Sequence, residues 1–256
     1  MILYFSGTGN TRRAATLLSE ALGDTDLRRL TPQMLLDPAS ARFDMSVGDT
    51  RVVWAFPTYS WGIPPVVAAV MRGCMAGQGF SDATHYMLAT CGDDIAYTDR
   101  QWRRIMKARG FRAGGAFSVV MPNNYVLMKG FDTDSDEVAA RKLAEAPDAI
   151  RRIADAIRDG GADIAVRLRF SRIKSSVIYP SFVRYAMSPR PFGSNEGCVS
   201  CGKCAASCPM DNIAMKDGRP VWGTHCAMCL RCYHICPRHA VTYGKATDGK
   251  GQYFLE

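Results

Sequence analysis

The sequence predicts a doubly wound α/β domain with a parallel sheet, followed by a small metal-binding domain. Two observations predict this order. Short apolar runs alternate with helical patterns through roughly the first 160 residues, as expected for parallel strands covered by helices on both faces. Eight of the ten cysteines then fall between Cys198 and Cys236. A dense block at one end of a chain of 256 residues indicates metal ligands rather than scattered disulfides.

The α/β region divides into five apolar runs and four amphipathic segments. The predicted strands are Ile2–Phe5, Asp26–Leu30, Val52–Phe56, Tyr86–Cys91 and Ala116–Met121. The predicted helices are 11–22, Pro64–Arg72, 95–109 and 136–158, with Gly23 and Gly110 ending the first and third. In the last helix Asp134 and Glu137 have capping-box spacing, and Pro147 is expected to break or kink the helix. Ligands of such sheets bind at the carboxyl ends of the strands, so the loops after the strands are the expected sites of chemistry.

Composition excludes several classes of protein. With 47% hydrophobic and 22% charged residues, the chain is not generally disordered. No run approaches the ~20 apolar residues that span a bilayer, so no transmembrane segment is expected. The N-terminus enters the first strand without a signal-like segment, which predicts a cytoplasmic protein.

Residues 161–194 have a different character. Arginines and one lysine alternate with aromatic and aliphatic side chains, among them Phe170, Ile173, Val177 and Tyr185. We interpret this stretch as a linker that contains a basic amphipathic helix. Its apolar side is expected to pack on one or both domains; docking to a partner or to a membrane surface is the alternative.

The cysteine block contains two copies of the motif Cys-x2-Cys-x2-Cys-x3-Cys-Pro, offset by 28 residues. The motif is similar to that of bacterial two-cluster ferredoxins, in which the fourth cysteine of each run binds the other cluster. The resemblance assigns two [4Fe-4S] clusters to an α+β domain over 195–256. One would be bound by Cys198, Cys201, Cys204 and Cys236, and the other by Cys226, Cys229, Cys232 and Cys208. Zinc needs only four ligands, and disulfides are unusual in a reducing cytoplasm, so both alternatives explain the block less well.

The loop after the first strand has a composition suited to binding phosphate. It consists of Ser6, Gly7, Thr8, Gly9, Asn10 and Thr11. Its glycines let backbone amides approach an anion, its hydroxyls add donors, and the following helix contributes its positive N-terminus. It lacks the lysine of a Walker loop and the spacing of a dinucleotide fingerprint, which favours a monophosphate. A Gly-rich turn of purely structural function is the alternative.

Two further loops complete a resemblance to flavodoxins over residues 1–160. The first contains Pro57, Thr58, Tyr59, Ser60, Trp61 and Gly62; the second contains Thr90, Cys91, Gly92 and Asp93. The Ser-Gly-Thr-Gly-Asn-Thr sequence is similar to the FMN phosphate loop of that family, and the other two loops resemble its isoalloxazine loops. The resemblance implies that FMN binds to these residues, with Trp61 or Tyr59 stacking on one face of the ring. Tyr125 is a candidate lid, or a residue that simply covers the end of the sheet.

Both halves together resemble the flavodoxin–ferredoxin fusion proteins of anaerobic prokaryotes. Clusters exchange single electrons, and a flavin exchanges one or two. The resemblance therefore implies an electron carrier that serves another oxidoreductase; the alternative is an FMN-dependent reductase of a small substrate. The sequence contains no recognisable catalytic constellation, which favours the carrier. The formal charge of +8 falls to about +2 once thiolates, clusters and a phosphate are counted. A nucleic-acid partner is therefore not expected, whereas the basic linker could steer an acidic redox partner.

Overall fold

A computed structural model describes residues 1–23 and 26–255 and contains a central five-stranded parallel sheet. The sheet strands are β1 (Ile2–Tyr4), β2 (Leu27–Arg29), β4 (Arg51–Pro57), β6 (Thr84–Cys91) and β7 (Arg112–Val120). Their spatial order is β2-β1-β4-β6-β7. Counted along the sheet strands alone this is 2-1-3-4-5, the flavodoxin-like order, whose switch point lies beside the first strand. A two-residue parallel pair, β3 (Arg42–Phe43) and β5 (Met75–Ala76), lies outside this sheet.

Helices cover both faces of the sheet, as the sequence predicts. They are α1 (Asn10–Leu22), α2 (Pro32–Leu36), α3 (Pro65–Gly73), α4 (Thr98–Arg109) and α5 (Asp136–Arg158), with a 3-10 turn at Pro38–Ser40. Helices α1 and α5 pack on one face, where Leu18 and Ile153 are buried in one apolar cluster. Helices α3 and α4 pack on the other, where Val70 and Trp102 belong to a second cluster. Each helix buries the apolar side that its periodicity indicates.

Three local predictions were wrong. Helix α4 begins at Thr98 rather than at 95, because Ala96 adopts a positive φ and its amide donates to Asp94 Oδ1 at 2.8 Å. The capping box does not form, because Ser135 is the N-cap of α5 and its Oγ accepts from the amide of Val138. The predicted break at Pro147 does not occur either, because α5 is continuous from Asp136 to Arg158, whereas the kink stays a prediction. The packing of its apolar face on α1 and β7 outweighs the hydrogen bond that proline removes.

The linker forms an irregular helix over 171–186. It consists of Ser171–Ile173, π-helical Lys174–Ile178, Tyr179–Ser181 and π-helical Phe182–Ala186. One side faces the α/β domain, where the Tyr179 hydroxyl donates to the carbonyl of Ile63 at 2.6 Å. Phe170, which directly precedes the helix, and Ile173, Val177 and Tyr185 within it are exposed. The prediction that the apolar residues of the linker pack on a domain is therefore correct for some of them and wrong for these four.

The C-terminal domain is built from two antiparallel pairs and two one-turn helices. These elements are β8 (Phe192–Ser194), α6 (Lys203–Ala206), β9 (Ile213–Lys216), β10 (Arg219–Trp222), α7 (Arg231–His234) and β11 (Val241–Tyr243). Strand β8 pairs with β11, and β9 pairs with β10. Met210 and Ala227 of this domain are buried in the same apolar cluster as β4 and α3, so the two domains share part of their core.

Among the described residues no helix has the length and apolarity needed to cross a bilayer.

Candidate functional site

A cleft of about 380 Å³ opens at the carboxyl end of the sheet. It lies at the switch point, where such sheets bind their ligands. The three predicted loops meet here, together with Tyr125, and every predicted flavin-loop residue lines the cleft except Gly9 and Gly62. The volume falls in the range typical of small-molecule and cofactor sites.

The phosphate-loop end of the cleft offers an anion site. Helix α1 begins at Asn10, Gly9 precedes it with a φ of 104°, and no side chain caps the helix. The first turn contains no acidic residue, so the positive end of the helix dipole is not neutralised. Ser6 Oγ lines the cleft and is buried without a hydrogen-bond partner in the described part of the chain. An unpaired buried hydroxyl at a helix N-terminus fits a bound phosphate oxygen.

The other polar side chains of this loop connect it to neighbouring loops. Thr11 Oγ1 lies 2.7 Å from Thr90 Oγ1, and the Asn10 side-chain amide donates to the carbonyl of Pro122 at 2.8 Å. The Thr8 hydroxyl accepts from the side chain of Asn124. These bonds hold the loop in register with the ends of β6 and β7. The loop therefore presents its amides and Ser6, rather than all of its hydroxyls, to a ligand.

The C-terminal domain holds the opposite side of the same loop. Arg231 donates to the carbonyl of Gly7 at 2.7 Å, and the amide of Leu255 donates to the carbonyl of Thr8 at 2.8 Å. A Cβ on Gly9 would lie 1.8 Å from the carbonyl oxygen of Leu255. Glycine is thus required at position 9, because of the positive φ and because the Leu255 carbonyl lies so close. Gly9 faces the C-terminal segment and does not line the cleft.

The second loop carries the aromatic residues of the cleft. Ser60 and Trp61 both have positive φ values, at the centre of a tight turn that is closed by backbone hydrogen bonds between Tyr59 and Gly62. Trp61 Nε1 donates to Asp94 at 3.1 Å, and the ammonium of Lys174 lies 4.8 Å from the Trp61 ring centroid. Lys174 also pairs with the buried Asp94 at 2.7 Å. Gly62 lies under the ring of Tyr179, where a Cβ would come within 2.2 Å, so its role is packing.

The third loop presents backbone groups and a neutral thiol. Burial, together with Asp94 and Asp93, raises the pKa of Cys91 to about 12, which excludes a reactive thiolate. Lys142 donates to the carbonyl of Gly92 at 3.0 Å and pairs with Asp134 at 2.7 Å. Asp134 also accepts from Asn123. The acidic residue expected to cap α5 therefore braces the cleft instead.

An apolar cover lies over the cleft, and the sequence predicts Tyr125 as a candidate lid but not the contribution of the linker. Tyr125 packs edge-on against Phe131 and Phe182, at centroid distances of 5.8 and 6.0 Å. Met128 and Ile178 complete the cover. Ile178 and Phe182 belong to the linker helix. The amphipathic pattern of this helix does not indicate that it lies over the cleft. Tyr97 lies under the guanidinium of Arg100 and does not line the cleft.

The eight clustered cysteines surround two separate small cavities. Cys198, Cys201, Cys204 and Cys236 line one; Cys208, Cys226, Cys229 and Cys232 line the other. The C-terminal cysteine of each run thus reaches the cavity of the opposite run. No three Cys, His, Asp or Glu side chains of the described residues form a group that could hold a single metal ion, whereas each cavity is enclosed by four thiols.

The two cysteine loops have the same backbone conformation. Ser200 and Gly202 adopt positive φ values, and so do Met228 and Leu230, their counterparts 28 residues later. A short helix follows in each loop. Two amide-to-sulfur contacts also repeat: Asn212 N to Cys208 Sγ at 3.5 Å, and Ala240 N to Cys236 Sγ at 3.3 Å. Amides directed at sulfur favour its anionic, metal-bound form.

We call the cavity of Cys208, Cys226, Cys229 and Cys232 the inner cavity and the cavity of Cys198, Cys201, Cys204 and Cys236 the outer cavity. None of the four inner-cavity cysteines is exposed. Burial raises the pKa of Cys226 to about 11 and that of Cys229 to about 12. Cys201, by contrast, is exposed at the outer cavity. A coordinating metal removes the thiol proton outright. The four thiols of the inner cavity, of which Cys232 is buried and the other three are partly buried, therefore suit a metal centre better than they suit free thiolates.

Cys229 belongs to the inner cavity and to the cleft at once. Its neighbours Met228 and Leu230 also line the cleft, and a Cβ on Gly7 would lie 2.7 Å from the Cys229 carbonyl oxygen. The Tyr59 hydroxyl is buried here without a partner in the described residues. Burial and the thiols of Cys229 and Cys226 raise the pKa of Tyr59 well above its usual value. The sequence predicts both sites but gives no signal that they adjoin.

Comparison with known proteins supports the cysteine assignment at the level of the domain. A family model described as a 4Fe-4S dicluster domain matches residues 197–241. No curated protein matches the chain.

Solved structures similar to this chain include several α/β flavoproteins. A putative flavoprotein from Bacteroides uniformis is 20% identical over 47% of this chain and 88% of its own, with a TM-score of 0.36. A Streptococcus pneumoniae flavodoxin is 16% identical over 62% and 96%, with a TM-score of 0.38. An NAD(P)H:quinone oxidoreductase from Methanothermobacter marburgensis is 12% identical over 59% and 94%, with a TM-score of 0.34. Similarities this low say nothing about the activity of this chain.

The fold and the cysteine cavities define the class of the protein. The sheet order is flavodoxin-like, and residues 197–241 match the model of a 4Fe-4S dicluster domain. The chain is therefore an iron–sulfur redox protein in which a flavodoxin-like domain precedes a ferredoxin-like one.

Proposed function

We propose that this protein passes single electrons between two [4Fe-4S] clusters and FMN and serves as an electron-transfer partner of another oxidoreductase. We place it with the flavodoxin–ferredoxin fusion proteins of anaerobic prokaryotes. The observation that carries the proposal is Cys229, which lines both the inner cysteine cavity and the cleft. A cluster held there would be separated from a ligand of the cleft by little more than this one residue.

The residues present fit these groups. Eight thiols in two sets of four suit two cubane clusters. The uncapped N-terminus of α1 and Ser6 suit the phosphate of FMN, and Trp61 and Tyr59 offer aromatic surfaces to a ring. When bound, the clusters supply one-electron steps and the flavin converts between one- and two-electron chemistry.

The chain's own residues would position these groups and exclude water. Arg231 and the 251–255 segment hold the phosphate loop, and the linker helix covers the cleft. Exposed Cys201 marks the outer cavity as the point of electron entry or exit. We propose domain limits of 1–160, 161–194 and 195–256, and a redox protein as donor or acceptor.

Analysis of the purified protein tests this proposal. Under anaerobic conditions we expect about eight iron and eight sulfide per chain, together with stoichiometric FMN released by denaturation. Cys226→Ala should halve the iron and leave the FMN content unchanged. Clusters without flavin would overturn the relay, as would flavin without clusters.

A specific observation supports a second candidate function. Tyr125, Phe131 and Phe182 make an apolar cover above the cleft, as expected for an FMN-dependent reductase of a small substrate. Anaerobic turnover of small acceptors by the isolated protein would favour this reductase. Oxidation by protein acceptors alone would favour the carrier.

A further inference from the structure

The outer side of the linker combines positive charge with exposed apolar groups. We call this side the linker surface and define it by eight residues: Leu168, Arg169, Phe170, Arg172, Ile173, Val177, Arg184 and Tyr185. Half of the exposed large hydrophobic side chains in the described residues lie within 164–185. Phe170 is 67% exposed, Ile173 52%, Val177 58% and Tyr185 75%. Exposed apolar groups at this density mark an interaction surface.

The charge of this segment has one sign. No acidic residue occurs between Asp163 and Glu196, whereas five arginines and one lysine do. Arg167 and Lys174 pair with Asp99 and Asp94 of the α/β domain. The arginines of the linker surface form no ion pair with any described residue. The unpaired arginines therefore favour an anionic occupant of this surface.

Arginines and aromatic rings are interleaved on this surface. The guanidinium of Arg169 lies 5.6 Å from the ring centroid of Phe170, and that of Arg184 lies 5.5 Å from the ring centroid of Tyr185. Both rings remain exposed. Between Arg169 and Arg184 the exposed neutral polar side chains are those of Ser176 and Ser181. Such a surface suits the boundary of a bilayer, where phosphates lie directly above acyl chains and no directional hydrogen-bond pattern is required.

We propose that the linker surface docks onto anionic lipid bilayers, with Arg169, Arg172 and Arg184 at the headgroups and the apolar side chains in the acyl boundary. Ile178 lies at the edge of this surface and also lines the cleft. Docking would therefore bring the mouth of the cleft beside the membrane. The proposal does not depend on which group occupies the cleft.

Vesicle co-sedimentation of the anaerobically purified holoprotein tests the proposal. Vesicles of equal parts phosphatidylglycerol and phosphatidylcholine are compared with vesicles of phosphatidylcholine alone. We expect partitioning onto the anionic vesicles only, weakened by added salt because the attraction is screened. Each arginine near an anionic surface contributes about a fivefold factor. The triple variant R169Q/R172Q/R184Q should therefore bind about a hundredfold more weakly.

A matched variant controls for net charge. K107Q/R141Q/R152Q removes the same charge from exposed positions of α4 and α5, and it should bind nearly as well as the wild type. F170Q/V177Q removes apolar groups without changing charge and should also weaken binding. Iron and flavin contents equal to those of the wild type show that each variant is folded.

Three results would overturn the proposal. The first is that the protein does not partition onto anionic vesicles. This result is expected if the linker surface binds an acidic protein rather than lipid. The second is that R169Q/R172Q/R184Q and K107Q/R141Q/R152Q lose vesicle binding to the same extent, which would show that binding depends on net charge alone. The third is equal binding to vesicles without phosphatidylglycerol.

Discussion

Tyr59 lines the cleft close to the thiols of the inner cysteine cavity. Its hydroxyl is buried and has no partner in the described part of the chain. Burial and the nearby Cys229 and Cys226 raise its pKa, so the hydroxyl keeps its proton. An unpaired buried donor is costly unless a ligand accepts its hydrogen bond. The sulfur of a cluster held by Cys229 and Cys226 would be such an acceptor.

We therefore expect Tyr59→Phe to lower the midpoint potential of the inner cluster. A hydroxyl donating to cluster sulfur stabilises the more negative reduced state, and phenylalanine removes only that donor. A redox titration followed by electron paramagnetic resonance measures both clusters. Tyr179→Phe is the matched control, since its hydroxyl donates to the Ile63 carbonyl away from the thiols. An unchanged inner-cluster potential, or the same shift in both variants, would contradict this role.

His85 has a purely structural role in the core. Trp54 Nε1 donates to His85 Nδ1 at 3.1 Å, and His85 Nε2 lies 2.9 Å from the carbonyl of Phe80. Because the indole is only a donor, Nδ1 must accept, and the ring is neutral with its proton on Nε2. Burial lowers the pKa of His85 to about 4. No local pattern in the sequence distinguishes such a core histidine from the histidines beside the cysteines.

The neutral ring makes stability depend on pH. In the unfolded chain the ring binds a proton below about pH 6.5, whereas in the folded chain it does so only near pH 4. The neutral His85 ring therefore makes its full contribution to the free energy of unfolding above about pH 6.5. This contribution is lost as the pH falls toward 4. The phenylalanine in His85→Phe cannot bind a proton, so only the wild type loses stability through this position as the pH falls. The difference in unfolding free energy between wild type and variant should therefore narrow by about 2 kcal/mol from about pH 7 to about pH 5. Denaturant unfolding at both pH values measures the gap, and a constant gap would contradict the assignment.

At the scale of elements, the phosphate loop and α1 form one unit that depends on Gly9. Alanine there must adopt a φ of 104° and collide with the carbonyl of Leu255. Gly9→Ala should cost about 1–3 kcal/mol and lower FMN retention, because the C-terminal segment that holds the loop is displaced. Flavin content after gel filtration and thermal unfolding measure the two effects.

Gly23→Ala is the matched control for this prediction. Gly23 ends the same helix with a φ of 68°, and a Cβ at this position would have no atom within 4 Å. Alanine should cost about 1 kcal/mol there without loss of flavin. Equal flavin retention in the two variants would contradict a special role of Gly9.

The elements that the sequence predicts well are those with strong local signals. Strands β4 and β6 are continuous apolar runs, and α1 ends at Gly23 as its glycine indicates. The start of α5 was predicted at the right place for the wrong reason. Ser135 and Asp134 are both competent caps, and Lys142 and Asn123, which engage Asp134, are recognisable only in three dimensions.

At the scale of the whole molecule, the two domains contact each other directly and are not connected by the linker alone. Met210 and Ala227 enter the apolar core of the α/β domain. His234 Nε2 lies 2.7 Å from the carbonyl of Asn124, and Tyr253 donates to Asn10 Oδ1 at 2.7 Å. These contacts fix the inner cysteine cavity against the cleft, so electron transfer would not require the domains to find each other by diffusion.

These inter-domain contacts are what the sequence could not predict. Each cysteine and each glycine-rich loop carries a local pattern, and the cross-paired cysteines follow from a repeat within one segment. No local pattern indicates that Met228 lines a cleft formed by residues far away in the chain, or that Phe182 covers it. Such contacts depend on how complete domains pack.

The central claim is a serial order: outer cluster, inner cluster, flavin. Its most direct test is anaerobic photoreduction of the bound flavin in the presence of a sacrificial donor, with cluster bleaching followed in time. We expect both clusters of the wild type to bleach after the flavin is reduced. Cys198→Ala, which lacks the outer cluster, should still bleach its inner one, whereas Cys226→Ala should leave the outer cluster oxidised over the same interval. Bleaching of the outer cluster at the wild-type rate in Cys226→Ala would contradict the proposed order.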